Sequence, residues 1–211
     1  MAGEQRPGAA NWVPEDADVD TIRTSADGCR GCELWAGATQ AVVSAGPAQA
    51  TVFLVGEQPG DREDREGEPF VGPAGRLLDE ALDAAGVDRG SAYVTNAVKH
   101  FRFTQRGKRR IHQKPGVAHL EACRPWLDAE LAAVAPHVVV ALGATAARSV
   151  LGRAVKIGDV RGDVLDGTPP VVVTAHPSSV VRLRGREGFD EAFDTLVADL
   201  RVAGGGVAAS A

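Results

Sequence analysis

Three cysteines and five histidines are the side chains of this 211-residue chain best suited to hold a metal or attack an electrophile. Cys29 and Cys32 form a C-x-x-C pair in a loop ahead of any expected strand. A redox pair of the thioredoxin kind follows a strand inside its fold, so a metal pair suits this position better. Cys123 offers a third thiolate, and a fourth ligand must come from elsewhere. Zinc accepts three Cys and one His. A [4Fe–4S] cluster takes four Cys as a rule, although His replaces Cys in some iron–sulfur centres. The competing reading is three unrelated thiols, with Cys123 a small core hydrophobe. An odd cysteine count behind an N-terminus with no secretory pattern argues against a disulfide framework.

A second chemistry lies in charge. The net charge is −5, with 23 basic and 28 acidic residues. Seven of the basic residues (Lys99, Arg102, Arg106, Lys108, Arg109, Arg110, Lys114) fall between Lys99 and Leu120, where there is no Asp or Glu. One basic element on an acidic body is the electrostatic footprint of a local anionic partner, or else a solvated basic loop.

The elements that would position these groups alternate. Val/Ala/Leu-rich runs at Thr51–Gly60, Ala92–Val98, His137–Leu142 and Val171–Pro177 read as buried strands. Helical spacing follows from Pro73 to Gly86, over Val117–Val134, after Ala144, and over Glu187–Val202. Near-continuous apolar strands separated by helices imply an α/β fold: a four-stranded parallel sheet covered on both faces. Ligands of such sheets bind outside the carboxyl ends of the strands. Four polar clusters fall there: Glu57-Gln58, Asn96 with the basic loop after it, Gly143-Ala144-Thr145, and His176 to Ser179. Each alone is a weak signal; a shared edge makes them candidates for one site.

At 44% hydrophobic and 24% charged, the composition excludes wholesale disorder and a collagen-like repeat. No apolar run approaches the ~18 residues of a membrane span. The expectation is one cytoplasmic, monomeric domain spanning 1–211, with about 1–15 and 204–211 disordered.

Taken in order, Gly56–Gly60 (GEQPG), Gly67–Asp79 (GEPFVGPAGRLLD), Tyr93–Lys99 (YVTNAVK), Leu142–Ala147 (LGATAA) and His176–Ser179 (HPSS) resemble the iron–sulfur uracil-DNA glycosylases of family 4. The resemblance runs from about Cys29 to Leu200. Lys108–His112 (KRRIH) resembles the insertion of the UdgX branch, whose members bind uracil-DNA covalently. It implies a three-layer sandwich around a four-stranded parallel sheet, uracil-containing DNA and uracil as partners, and a [4Fe–4S] cluster. Cys29, Cys32 and Cys123 match three cluster ligands. Where family 4 has a fourth Cys this chain has His100, which the resemblance makes the fourth ligand, with zinc as the alternative.

A uracil inside a duplex is reached only in single strands or by flipping. The resemblance makes Phe70 the stacking aromatic. Asn96 offers an acceptor for N3–H and a donor for O4, the reverse of what cytosine requires. Asp61 or Glu63 is expected to help reject thymine. His176 is expected to donate to uracil O2, with the backbone N–H of Gln58 as a second donor, where charge develops on the leaving base. Glu57 would orient water against C1′ in a hydrolytic relative. Here His112 is expected to trap C1′ instead, with Glu57 taking its proton. Lys108, Arg109, Arg110, Ser178 and Ser179 are the expected DNA contacts. The rival readings are a turnover glycosylase with the same pocket, a non-catalytic metal-stabilised nucleic-acid-binding protein, and a nucleotide-binding module.

Overall fold

The computed structural model describes residues 6–208. Eight strands are present: β1 (Ser44–Ala45), β2 (Val52–Gly56), β3 (Tyr93–Asn96), β4 (Phe103–Arg106), β5 (Arg109–His112), β6 (Val138–Leu142), β7 (Val164–Leu165) and β8 (Val171–Thr174). The α-helices are α1 (Val19–Ser25), α2 (Asp61–Glu66), α3 (Pro73–Ala85), α4 (Val117–Val134), α5 (Ala144–Leu151), α6 (Ile157–Val160), α7 (Pro177–Val181) and α8 (Phe189–Ala208).

The main sheet runs β1-β3-β2-β6-β8-β7. Its four middle strands are parallel. The two-residue β1 and β7 add antiparallel edges that the hydrophobic runs do not announce. Successive strand residues face opposite layers, as the pleat requires. Phe53, Val55, Val139, Ala141 and Val173 join the core shared with α1, α4 and α5. Val52, Leu54, Val138, Val140 and Val172 join the core shared with α3 and α8. Both faces are therefore dry, which is why these strands read as unbroken apolar runs and not as alternating ones.

Two segments differ from the sequence expectation. The basic stretch is not a plain loop. β4 and β5 form a separate antiparallel hairpin, with Phe103 opposite His112 and Arg106 opposite Arg109. Gly107, at φ 59°, supplies the left-handed turn residue. The N-terminal span expected to be disordered packs down from residue 6 onward. Gly8 N–H donates to Gly31 O at 3.0 Å, Ala9 N–H donates to Ala122 O at 2.7 Å, and Ala9 is buried. At the other end α8 continues through Ala208, past the expected boundary at 204. Residues 1–5 and 209–211 of those two expectations lie outside the described residues. Among the described residues no helix is long and apolar enough to cross a membrane.

Candidate active site

All four polar clusters at the strand ends reach one cavity of about 470 Å³. Glu57 and Gln58 follow β2, Asn96 ends β3, Gly143 to Thr145 lead into α5, and His176 precedes α7. The hairpin brings His112 to the same cavity, and Phe70 lines it from the loop before α3.

The floor depends on the absence of a side chain at Gly56. A Cβ there would sit 2.3 Å from Asn96 Oδ1 and 2.6 Å from the Phe70 ring. Phe70 itself has φ 60°, in the left-handed region that a bulky residue rarely adopts. Such strain is kept where surrounding structure imposes it, typically at ligand sites. Gly75 makes room for it, since any Cβ at that position would overlap the Phe70 carbonyl. The Phe70 ring lies roughly parallel to that of His176, at 25° and 6.2 Å between centroids. Asn96 is 2% exposed, and among the described residues its hydrogen bond runs through the backbone carbonyl, not the side-chain amide. The amide is free to read a ligand edge.

His176 is fixed by local bonds. Its Nδ1 accepts from Ser178 N–H at 3.1 Å and lies 2.9 Å from Ser178 Oγ. Ser179 Oγ donates to the His176 carbonyl at 2.7 Å. An accepting Nδ1 puts the proton on Nε2 of a neutral ring. Burial, helped by nearby His112 and Arg182, pushes the His176 pKa down to about 4, so the ring stays neutral near pH 7. Nε2–H is left as a donor. Gly143, at φ 89°, closes this corner; a Cβ there would press on His176 Cβ at 2.9 Å.

Glu57 and His112 face each other, with His112 Nε2 3.5 Å from Glu57 Oε1. The other carboxylate oxygen accepts the hydroxyl of Thr145. Thr145 was visible only as part of a strand-end cluster; nothing in the sequence said that its hydroxyl would orient Glu57. The His112 ring is tilted 45° against Phe101, at 6.0 Å.

The hairpin is fastened at two points. Gln58 lines the cavity, but its side chain staples the hairpin base. Nε2 donates to Arg102 O at 3.1 Å and to Gln113 O at 3.2 Å, while Oε1 accepts from Arg102 N–H at 3.2 Å. Arg110 makes the second fastening. Its guanidinium pairs with Asp61 and with the buried Asp64 at 2.6 Å, bonds Thr39 Oγ at 3.2 Å, and lies over the rings of Phe101 and Phe103. Arg110 thus faces α2, whereas Lys108 and Arg109 are exposed at the hairpin turn. Asp61 does not line the cavity; its carboxylate is engaged by Arg110 and Arg65. Glu63 does line it, with both oxygens capping backbone N–H groups of Gly60 and Gly72. Lys114, known from the sequence only as part of the basic run, and Arg182, not singled out there, add two cations to the lining, which also includes Ser178. Ser179 is not part of it.

The cysteines are buried together. Burial pushes the Cys123 thiol up to about 12, and Cys32 and Cys29 nearby add to the rise. Burial likewise raises Cys32. Cys29 Sγ accepts from Gly31 N–H at 3.5 Å and Trp126 Nε1–H at 3.3 Å, and Cys123 Sγ accepts from Lys99 N–H at 3.3 Å. Three N–H groups aimed at two sulfurs suit sulfur that carries negative charge. His100 is buried, and burial lowers its pKa to about 4, the neutral form a metal requires. Among the described residues, no three His, Cys, Asp or Glu side chains converge as the ligands of one metal ion do.

Comparison with known proteins agrees with the architecture. A family model described as the uracil DNA glycosylase superfamily matches residues 43–201. The chain is 35% identical over 180 residues to a type-4 uracil-DNA glycosylase of Pyrobaculum aerophilum, covering 80% of this chain and 88% of that one. It is 38% identical over 162 residues to a type-4 uracil-DNA glycosylase of Thermotoga maritima, covering 75% and 81%. A third, from Archaeoglobus fulgidus, is 32% identical over 188 residues, covering 84% and 91%.

Proposed function

Because the chain belongs to the uracil DNA glycosylase superfamily, we propose that it excises uracil from DNA and then keeps the abasic sugar covalently through His112. The observation that carries the covalent part is the His112–Glu57 approach of 3.5 Å at the mouth of a cavity that also holds Phe70, Asn96 and His176.

The uracil ring stacks on Phe70 and presents its N3–H and O4 to the Asn96 amide. As the C1′–N1 bond breaks, the base leaves with the bonding pair. His176 Nε2–H and the Gln58 backbone N–H meet the charge growing on O2. A preorganised donor of this kind is worth about 10²–10³ in rate. The electron-poor C1′ then takes the lone pair of a His112 ring nitrogen. The ring's N–H proton passes to Glu57, whose orientation Thr145 holds. Exposed Lys108, Arg109 and Lys114 grip phosphates together with Ser178 and Arg182 of the cavity lining and Ser179 just outside it; Arg110 is committed to holding the hairpin.

Cys29, Cys32, Cys123 and His100 are the residues that would hold a [4Fe–4S] cluster. Their burial, the N–H groups on sulfur and the neutral imidazole fit that group. Bound, it would supply a crosslink between the N-terminal loop, the end of β3 and α4.

The test is a labelled uracil-containing single strand mixed with protein, boiled in SDS and run on a denaturing gel. A slower band that appears with uracil and not with thymine supports the reading. His112→Ala should abolish the band, and His112→Ser should release free uracil by letting water in. A band that persists in His112→Ala overturns the nucleophile. An alkali-labile site without a band means ordinary turnover.

A further inference from the structure

The buried cation beneath the base pocket has no part in the chemistry above, and its contacts tie two sites together. Lys99 is 1% exposed and Glu130, on α4, is 0% exposed. The ammonium lies 2.5 Å from Glu130 Oε2, 2.7 Å from Thr95 Oγ and 2.8 Å from the backbone carbonyl of Asn96. An ammonium has three N–H donors, and here each meets an acceptor. Glu130 is held in turn: Oε1 accepts from Tyr93 OH at 3.2 Å and lies 2.9 Å from Thr95 Oγ. The same lysine's backbone N–H donates to Cys123 Sγ at 3.3 Å. Around it, Ala97 N–H donates to Gly56 O, Val98 N–H to Glu57 O, and Val42 N–H to Lys99 O.

Stability alone gives little reason for this arrangement. A buried ion pair recovers its desolvation cost only with excellent geometry, and apolar residues of similar volume often serve as well or better. Directionality is what apolar residues lack. No protein group among the described residues hydrogen-bonds the Asn96 amide, so its aim is set by its own backbone and by the close pass over Gly56. Its backbone carbonyl is the atom the ammonium holds.

We propose that Lys99 is a positioning residue for base selection. Pinned by Glu130, it holds the Asn96 peptide so that the amide reads uracil and not cytosine, and its N–H anchors Cys123, so one strut serves the base pocket and the thiol site. This rests on the proposed function for the identity of the base; the link to Cys123 does not.

The variant Lys99→Met/Glu130→Leu removes both charges and leaves neither one buried alone. Binding of single strands carrying 2′-fluoro-deoxyuridine or 2′-fluoro-deoxycytidine, whose glycosidic bonds resist cleavage so that no adduct forms, is compared by fluorescence anisotropy. A purely structural defect lowers the active fraction equally for both strands and leaves their affinity ratio unchanged. Loss of aim lowers the ratio, by about 10-fold for one misdirected hydrogen bond of ~1.4 kcal/mol. In the same preparation, maleimide labelling of Cys123, followed by mass spectrometry, should quicken relative to wild type. If the double variant does not accumulate, Lys99→Arg is used. It keeps a cation for Glu130, but its planar fork cannot reproduce the three ammonium directions, and it should lower the ratio in the same sense. An unchanged ratio with unchanged labelling in a folded variant overturns the proposal. A wild-type protein with no preference for uracil overturns the proposed function instead, and Cys123 labelling then decides the strut.

Discussion

On the proposed mechanism, replacing Arg110 with alanine should turn capture of the abasic sugar into release. Arg110 joins the hairpin to α2: it pairs with Asp61 and Asp64, bonds Thr39 Oγ and the Asp61 carbonyl, and covers Phe101 and Phe103. Its side chain is 12% exposed, while Asp64 is fully enclosed. Removing one partner of a buried pair costs about 3–5 kcal/mol. Asp64 retains two donors from Thr39, the backbone N–H shared between both carboxylate oxygens and the hydroxyl, which puts the loss nearer ~2–3 kcal/mol. A two-stranded hairpin is marginal alone in water, so much of that loss should fall on hairpin docking. At 1.36 kcal/mol per decade, the docked-to-undocked ratio drops by about 30–160-fold. His112, at the end of β5, leaves with the hairpin, whereas Glu57, Asn96 and His176 sit on the main sheet's loops and stay. Single-turnover gels would read the adduct, and chromatography the free uracil. The expected result is adduct formation slowed by roughly that factor, with uracil released beyond one equivalent per protein. Thermal unfolding should fall by about 4–12 °C, at roughly 2–4 °C per kcal/mol for a chain this size. An Arg110→Ala protein that forms adduct at the wild-type rate would refute the reasoning, because His112 would then need no anchored hairpin.

Three further outcomes follow from the same geometry. Gly56→Ala inserts a methyl group against Asn96 and Phe70, so the single-turnover rate of uracil loss at sub-saturating DNA should fall by at least ~10-fold, as expected for an overpacked site; a wild-type rate would mean that the base does not enter between those residues. His176 has a folded pKa of about 4 against 6.5, so the unfolded chain binds the extra proton first and stability should fall as the pH drops from 6.5 to 4. His176→Gln should flatten that slope in urea titrations. The N-terminal segment is latched by Arg6 to Glu33 at 2.5 Å and by Glu33 to His119 at 2.7 Å. Arg6→Ala should therefore speed alkylation of Cys29 and Cys32, and equal labelling rates would show that the segment does not shield them.

Residue types and their order are enough for the layers and the edge. Val-rich strands with no polar face demand cover on both sides, and a parallel sheet collects its loop residues at the carboxyl ends. From those two facts Glu57, Asn96, Thr145 and His176 belong near one another before any coordinate is known. The sequence also offered His112 and the cysteines as chemistry in search of a place. Only tertiary structure decided how those groups are used. Arg110 and Arg109 are adjacent and alike in a string, yet one faces α2 and the other faces water, because successive residues of a strand point to opposite sides. Gln58 reads as a substrate contact through its backbone N–H; that its side chain also staples the hairpin is invisible in the string, since its partners Arg102 and Gln113 lie 44 and 55 residues away. Lys99 counts as one more charge in a basic run until Glu130, 31 residues on, is found against it in the core. Composition records charges; which of them meet across such separations is set by how the helices pack on the sheet.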